Sequence, residues 1–235
     1  PAGGSSMSRL VVPVLGTLAG MVLWVAAVLV GFSEGWGRTP LTSSDSPAAF
    51  MAAAKAYLKD ERFGNLALVL VEEGRVAESH YASAGAAVGP DSVFQVASLS
   101  KWLSAVGVMA LVQDGALELD APVARYLTRW SLPPGPHDPA GVTVRRLLSH
   151  TAGLDDGLGY AGFDAAEDVQ SLEASLTLAR DASEGARGAV RVASEPGSAW
   201  GYSGGGYTLL QLLIEEVSGR SFSAYMRERV FGPIG

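Results

Sequence analysis

The sequence predicts a mixed α/β (α+β) domain held behind a single membrane-spanning helix, and three observations carry that reading. Residues 10–32, LVVPVLGTLAGMVLWVAAVLVGF, contain no charge and are long enough to cross a bilayer as a helix. The runs LALVLVEE and VAESHYASA flank Gly74 and read as the two strands of an antiparallel hairpin. Apolar runs at helical spacing, above all residues 98–115 and YTLLQLLIEEVSG, supply helices to pack beside the strands.

Composition narrows the function classes. A chain of 235 residues that is 48% hydrophobic has ample material for a core. Its net charge is −7 and its basic residues are scattered, so it lacks the footprint of a nucleic-acid binder. It contains no cysteine, which excludes disulfides, zinc–thiolate sites and a cysteine nucleophile. His80, His137 and His150 lie far apart, with no metal-binding spacing, so no metal site is expected.

The elements follow in order. A short N-terminal segment, residues 1–9, precedes the span at 10–32. The exit from the span, GFSEGWGRTP, offers no small-x-small cleavage site, so a retained anchor is expected rather than a signal peptide. Arg9 before the span and Glu34 after it place the N-terminus in the cytoplasm. The expected protein is therefore single-pass in the cytoplasmic membrane, with its domain outside. Residues 33–47, rich in Gly, Ser, Thr and Pro, read as a linker. The domain proper, 48–235, opens with a helix through AAFMAAAKAYLKDERF that would bury Phe50, Ala54, Tyr57 and Leu58. The run 98–115 is apolar almost all round and is expected to be a buried helix. WSLPPGPHDPAG is a proline-rich connection, and Asp164 and Glu167 have capping-box spacing ahead of a polar helix. YTLLQLLIEEVSG should stop at Gly219, with Ser221 capping a further helix.

The chemistry is expected around Ser98-Leu99-Ser100-Lys101. Between Asp91 and Asp114 Lys101 is the only charged residue, and lysine occurs three times in the chain. Residues three apart share a helix face, so the two side chains can meet. A lysine whose ammonium form is disfavoured by burial can act as general base toward a serine hydroxyl. On spacing alone, Ser98 capping the helix and Lys101 snorkelling to the surface fits as well.

Three blocks extend the argument: VFQVASLSKWLSAVGVMALVQDGALELDAPVARYL, VTVRRLLSHTAGL, and EPGSAWGYSGGGYTLLQLLIEEVSGRSFSAYMRERVFGPIG. In order and spacing they resemble the serine β-lactamase-related family, which holds class C β-lactamases, D-alanyl-D-alanine peptidases and esterases of the same fold. The resemblance runs from about Leu66 to Gly235. It implies the β-lactamase/transpeptidase-like fold, an antiparallel sheet flanked by helices plus a mostly helical region. It implies Ser98 as acylated nucleophile, Lys101 as its activating base, and Tyr202 of Tyr202-Ser203-Gly204 as the group that protonates the leaving group. It also implies a structural role for the block around His150. The expected substrate is a small molecule or a peptidoglycan-type peptide, and no metal or organic cofactor is implied.

Two departures from the family pattern matter. Gly204 stands at the substrate-binding position where the second motif usually carries asparagine, which weakens the β-lactamase and peptidase readings relative to an esterase-like hydrolase or one of undetermined class. No Lys-Thr-Gly or His-x-Gly strand is found, so the chain is expected to be the N-terminal part of a longer protein. The C-terminal strands would then lie outside it, and these 235 residues alone would have little activity. Oligomeric state is left open by the sequence. Two rival readings are also on view. One is a membrane-anchored binding or sensor domain of the same fold that has lost its chemistry. The other is an α/β-hydrolase with Ser203 as nucleophile, since Gly201-Tyr202-Ser203-Gly204-Gly205 fits GxSxG. A GxGxxG pattern at 157–162 lacks the strand and helix that dinucleotide binding needs and reads as a loop.

Overall fold

The computed structural model describes residues 6–60, 64–156 and 159–234, in two compact units, Pro1–Phe94 and Gln95–Gly235. The first two residues of the GxGxxG pattern lie outside the described residues.

In the first unit, α1 (Ser6–Ser33) is one uninterrupted helix. Its stretch Leu15–Ser33 has a mean hydropathy of 2.2 and is long and apolar enough to cross a membrane. The helix ends where the chain folds back, with the Trp36 N–H donating to the Gly31 carbonyl at 2.7 Å. Irregular chain then leads to α2 (Pro47–Asp60), whose first residue is a proline that the opening turn of a helix tolerates. The buried stripe of α2 differs from the expected one. Met51 and Ala54 are buried, whereas Phe50 and Tyr57 are exposed. The helical period is as read, but the face is turned by about one residue, because Met51 fills the interior position expected for Phe50.

β1 (Leu66–Glu72) and β2 (Arg75–Ala82) form the predicted antiparallel hairpin, in register from Leu66 opposite Ala82 to Glu72 opposite Arg75. Glu73 and Gly74 both have positive φ, 48° and 75°, the pattern of the tight two-residue turn that matches strand twist. Lys55 of α2 pairs with Glu78 of β2.

The second unit is helical and is built round α6 (Gly204–Ser218). Leu209, Leu210, Leu212, Leu213 and Ile214 are all fully buried, so this helix is covered on every side through its centre. Against it pack α3 (Ser100–Gln113), α4 (Val144–Leu148), α5 (Leu172–Thr177) and α7 (Phe222–Met226), which contribute Val108, Val144, Leu147, Leu176 and Met226. Burying each such side chain contributes about 1.5–3 kcal/mol. Gly107 lets α3 approach α7, since a Cβ there would meet Met226 Sδ at 2.6 Å. The Tyr225 hydroxyl donates to the Gly107 carbonyl at 3.0 Å and locks the same junction. As expected, α6 stops at Gly219, which is left-handed at φ 67°, and Ser221 caps α7 by accepting the Ala224 N–H.

Three further expectations need correction. The helix beginning at Ser98 starts at Ser100 instead, and Ser98 occupies a preceding 3-10 turn, Ala97–Leu99. Nor is α3 buried all round: Ser104, Gly107, Val108 and Leu111 are buried while Trp102, Val106 and Met109 are exposed. An apolar composition on every face marks what a helix can bury, and this unit covers one face of it. The capping-box residues also differ. Ser171, not Asp164, caps α5, by accepting the Ala174 N–H, and a short 3-10 turn covers Ala166–Asp168.

Candidate active site

Ser98 is exposed at the tip of its 3-10 turn, immediately before α3. The 3-10 turn runs directly into α3, so Ser98 in the turn and Lys101 in the first turn of α3, three residues apart, still share a face. Lys101 Nζ lies 3.2 Å from Ser98 Oγ. The turn is entered through Ala97 at φ 44°, a left-handed conformation that costs a non-glycine residue about 1–3 kcal/mol.

From the loop just before α6 comes Tyr202, whose hydroxyl lies 2.7 Å from Ser98 Oγ, completing a contact across more than a hundred residues. Lys101 Nζ sits 5.1 Å from the centre of the Tyr202 ring and 5.7 Å from that of Tyr207. Burial raises the Tyr202 phenol pKa, but hydrogen bonding with Lys101 and Ser98 and the Lys101 charge outweigh it and hold the phenol below its usual range. The structure thus brings Ser98, Lys101 and Tyr202 together. Lys101 is only half-buried, in keeping with the partly exposed helix that carries it.

The turn His150–Leu154 forms a platform under the Tyr202 loop. Gly201 N–H donates to the His150 carbonyl at 2.8 Å, Gly197 N–H to the Thr151 carbonyl at 2.8 Å, and Ala193 N–H to the Gly153 carbonyl at 2.9 Å. Gly153 is required there: it is left-handed at φ 71°, and a Cβ would lie 2.2 Å from the Ser194 carbonyl oxygen. The His150 imidazole accepts the Ser203 N–H at Nδ1, 3.2 Å away, and stacks at 4.6 Å on Tyr202 and 5.2 Å on Tyr207. Burial first, and then the Lys101 charge, lower its pKa against an opposing contribution from Asp156. A neutral ring that accepts a backbone N–H is a positioning group for Tyr202.

Ser203 is not presented as a nucleophile. It is 4% exposed, it caps α6 by accepting the Gly206 N–H at 2.8 Å, and its hydroxyl donates to Asp156. Among the described residues no strand leads directly into it, as a nucleophile elbow on GxSxG requires.

Asp156 and Tyr160 had no signal in the sequence. Asp156 is 2% exposed and is satisfied by three donors: the Ser203 hydroxyl, the Gly205 N–H at 2.9 Å and the Tyr160 hydroxyl at 2.5 Å. It thereby ties the loop after His150 to the first turn of α6. A cavity of about 310 Å³ is lined by Ala97, Ser98, Lys101, Gly159, Tyr160 and Tyr202, with Gly204. A second, of about 240 Å³, lies beyond Lys101 and is bordered by Asp181, whose buried Oδ1 has no hydrogen-bond partner among the described residues. A roomier cavity of about 630 Å³, beside Trp130 and Leu176, contains none of these groups. Serine, amine and phenol converging at one cavity form an arrangement able to carry out acyl transfer.

A family model described as Beta-lactamase matches residues 50–235. The chain belongs to the beta-lactamase family. Among the relatives of this family, a penicillin-binding protein of Bacillus subtilis (strain 168) is 35% identical over 147 residues, 62% of this chain and 30% of that protein. Esterase EstB of Burkholderia gladioli is 31% identical over 160 residues, 65% of this chain and 39% of its own length. Among solved structures, the octameric penicillin-binding protein homologue from Pyrococcus abyssi superposes with a TM-score of 0.59 at 28% identity, over 80% of this chain and 42% of that one. The chain therefore spans under half the length of the curated relatives it matches. These likenesses give it the β-lactamase/transpeptidase-like fold.

Proposed function

We propose that the protein is a serine hydrolase that forms an acyl-enzyme on Ser98 from an ester or amide substrate. The observation that carries the reading is the contact of Ser98 Oγ with both Tyr202 Oη, at 2.7 Å, and Lys101 Nζ, at 3.2 Å. Lys101 takes the Ser98 proton as Oγ attacks the substrate carbonyl. Backbone N–H groups, that of Ser98 among them, hold the oxyanion. Tyr202 delivers a proton to the departing alcohol or amine and is reprotonated by Lys101. Water then attacks the acyl-enzyme, giving its proton back through the same pair, and the acid is released. The names of the relatives, a penicillin-binding protein and an esterase, support a substrate that is a small ester, a β-lactam or a peptidoglycan-type peptide.

The length and hydropathy of α1 support a membrane anchor that holds this domain outside the cytoplasmic membrane. A catalytically lapsed binding domain is the second reading, favoured by the missing side chain at Gly204. Turnover separates the two. The full-length protein should hydrolyse 4-nitrophenyl acetate, and Ser98→Ala and Lys101→Ala should each lose at least a hundredfold in kcat/KM. Equal rates for wild type and Ser98→Ala would leave the lapsed reading standing.

A further inference from the structure

Position 204 carries no side chain, and the space that one would occupy is already filled. A Cβ built on Gly204 would meet Tyr160 Cε2 at 2.2 Å and Cδ2 at 2.7 Å. The ring is fixed against giving way. Its hydroxyl donates to the buried Asp156, and its backbone bridges Ala182, flanked by the Ala161 N–H to Asp181 carbonyl bond at 2.7 Å. Tyr160 also lines both cavities that meet at Lys101.

Apart from Ser98, Lys101 and Tyr202, the cavity at Ser98 is walled by the Tyr160 ring, the Ala97 methyl group, Gly159 and Gly204. None of these side chains offers the cavity a free polar group: the Tyr160 proton is committed to Asp156, and burial together with that bond raises its phenol pKa. Ser98 is part of this lining, so an acyl group bonded to its Oγ would sit against these walls.

We infer that Tyr160 is a specificity-determining residue that takes the place of a side chain at position 204, closes the Ser98 cavity with an apolar wall, and selects esters of apolar acids over those whose acyl group carries an amide. The inference rests on the hydrolase reading above. An acyl amide placed against this wall would give up its bonds to water without replacement, a loss of about tenfold or more in kcat/KM.

The test uses the full-length protein and two esters with one leaving group, 4-nitrophenyl butyrate and the 4-nitrophenyl ester of N-acetylglycine. Wild type should prefer butyrate about tenfold or more. Tyr160→Phe should keep that ranking, and Tyr160→Ala, or Tyr160→Leu where the alanine variant does not fold, should bring the two esters within about threefold. No preference in wild type, or an unchanged preference in the variants, overturns the inference. Labelling of Ser98 by a fluorophosphonate is followed in parallel. If wild type is not labelled, the hydrolase reading fails and the substrate claim falls with it. Thermal stability then still decides whether Tyr160 holds the space. Gly204→Ala should lower Tm in wild type and cost much less in the Tyr160→Ala background, whereas additive losses would contradict the packing argument.

Discussion

The Tyr202 phenol reaches Ser98 because three neighbours hold the chain on either side of it: the His150 carbonyl accepts from Gly201, the His150 ring accepts from Ser203, and Asp156 binds Ser203 and Gly205. Tyr202→Phe keeps the ring stack and removes only the hydroxyl, so we predict a fall of about 10²–10⁴ in kcat/KM with stability little changed. His150→Phe should leave the Ser203 N–H unpaired and cost about 1–3 kcal/mol in urea unfolding at pH 7. The pH dependence has a definite sign. The folded-state pKa of His150 lies below its ordinary 6.5, so the unfolded chain binds the proton more readily. The contribution of His150 is present above pH 6.5 and is lost as the pH falls from there through the lowered pKa. Lys101 and Asp156 are the charged groups that act on the ring, in opposite directions. Urea midpoints measured from pH 7.5 to 5 should decline more steeply in wild type than in His150→Phe.

At the scale of elements, the site is an assembly of ends: the turn before α3, the first turn of α6, and two loops that pass beneath them. The first turn of α6 is Gly-Gly-Gly because it packs against Tyr160 and Val190; a Cβ on Gly205 would lie 2.2 Å from Val190 Cγ2. Ser203→Ala removes the cap and one donor to Asp156, and should cost about 1–3 kcal/mol, read from the urea midpoint. Much of this layout was legible in the sequence. The hairpin showed in its alternation about Gly74, and α6 in its apolar period and its Gly219 stop. Ser98, Lys101 and Tyr202 were marked by their motifs. Asp156 and Tyr160 were not, because they lie in a loop without periodicity, and the groups that give them a role sit more than forty residues away at Ser203–Gly205. The burial of α3 was overestimated for a related reason: its residues tell that it could be covered on every face, and only packing decides which faces are.

For the whole molecule, a helical unit centred on α6 carries the candidate site, and a separate unit carries α1, α2 and the hairpin. Stability of the second unit should be concentrated in α6, where Leu213→Ala is expected to cost about 2–5 kcal/mol, measured by denaturant unfolding. On the proposed anchoring by α1, removing residues 1–38 should move the protein from the membrane to the soluble fraction without altering the Ser98 site. The central claim is that Ser98 is the nucleophile, and peptide mapping by mass spectrometry of the full-length protein after fluorophosphonate treatment tests it most directly. A single adduct is expected on the peptide containing Ser98, lost in Ser98→Ala and slowed in Lys101→Ala; an adduct on Ser203, or none at all, would contradict Ser98 as the nucleophile.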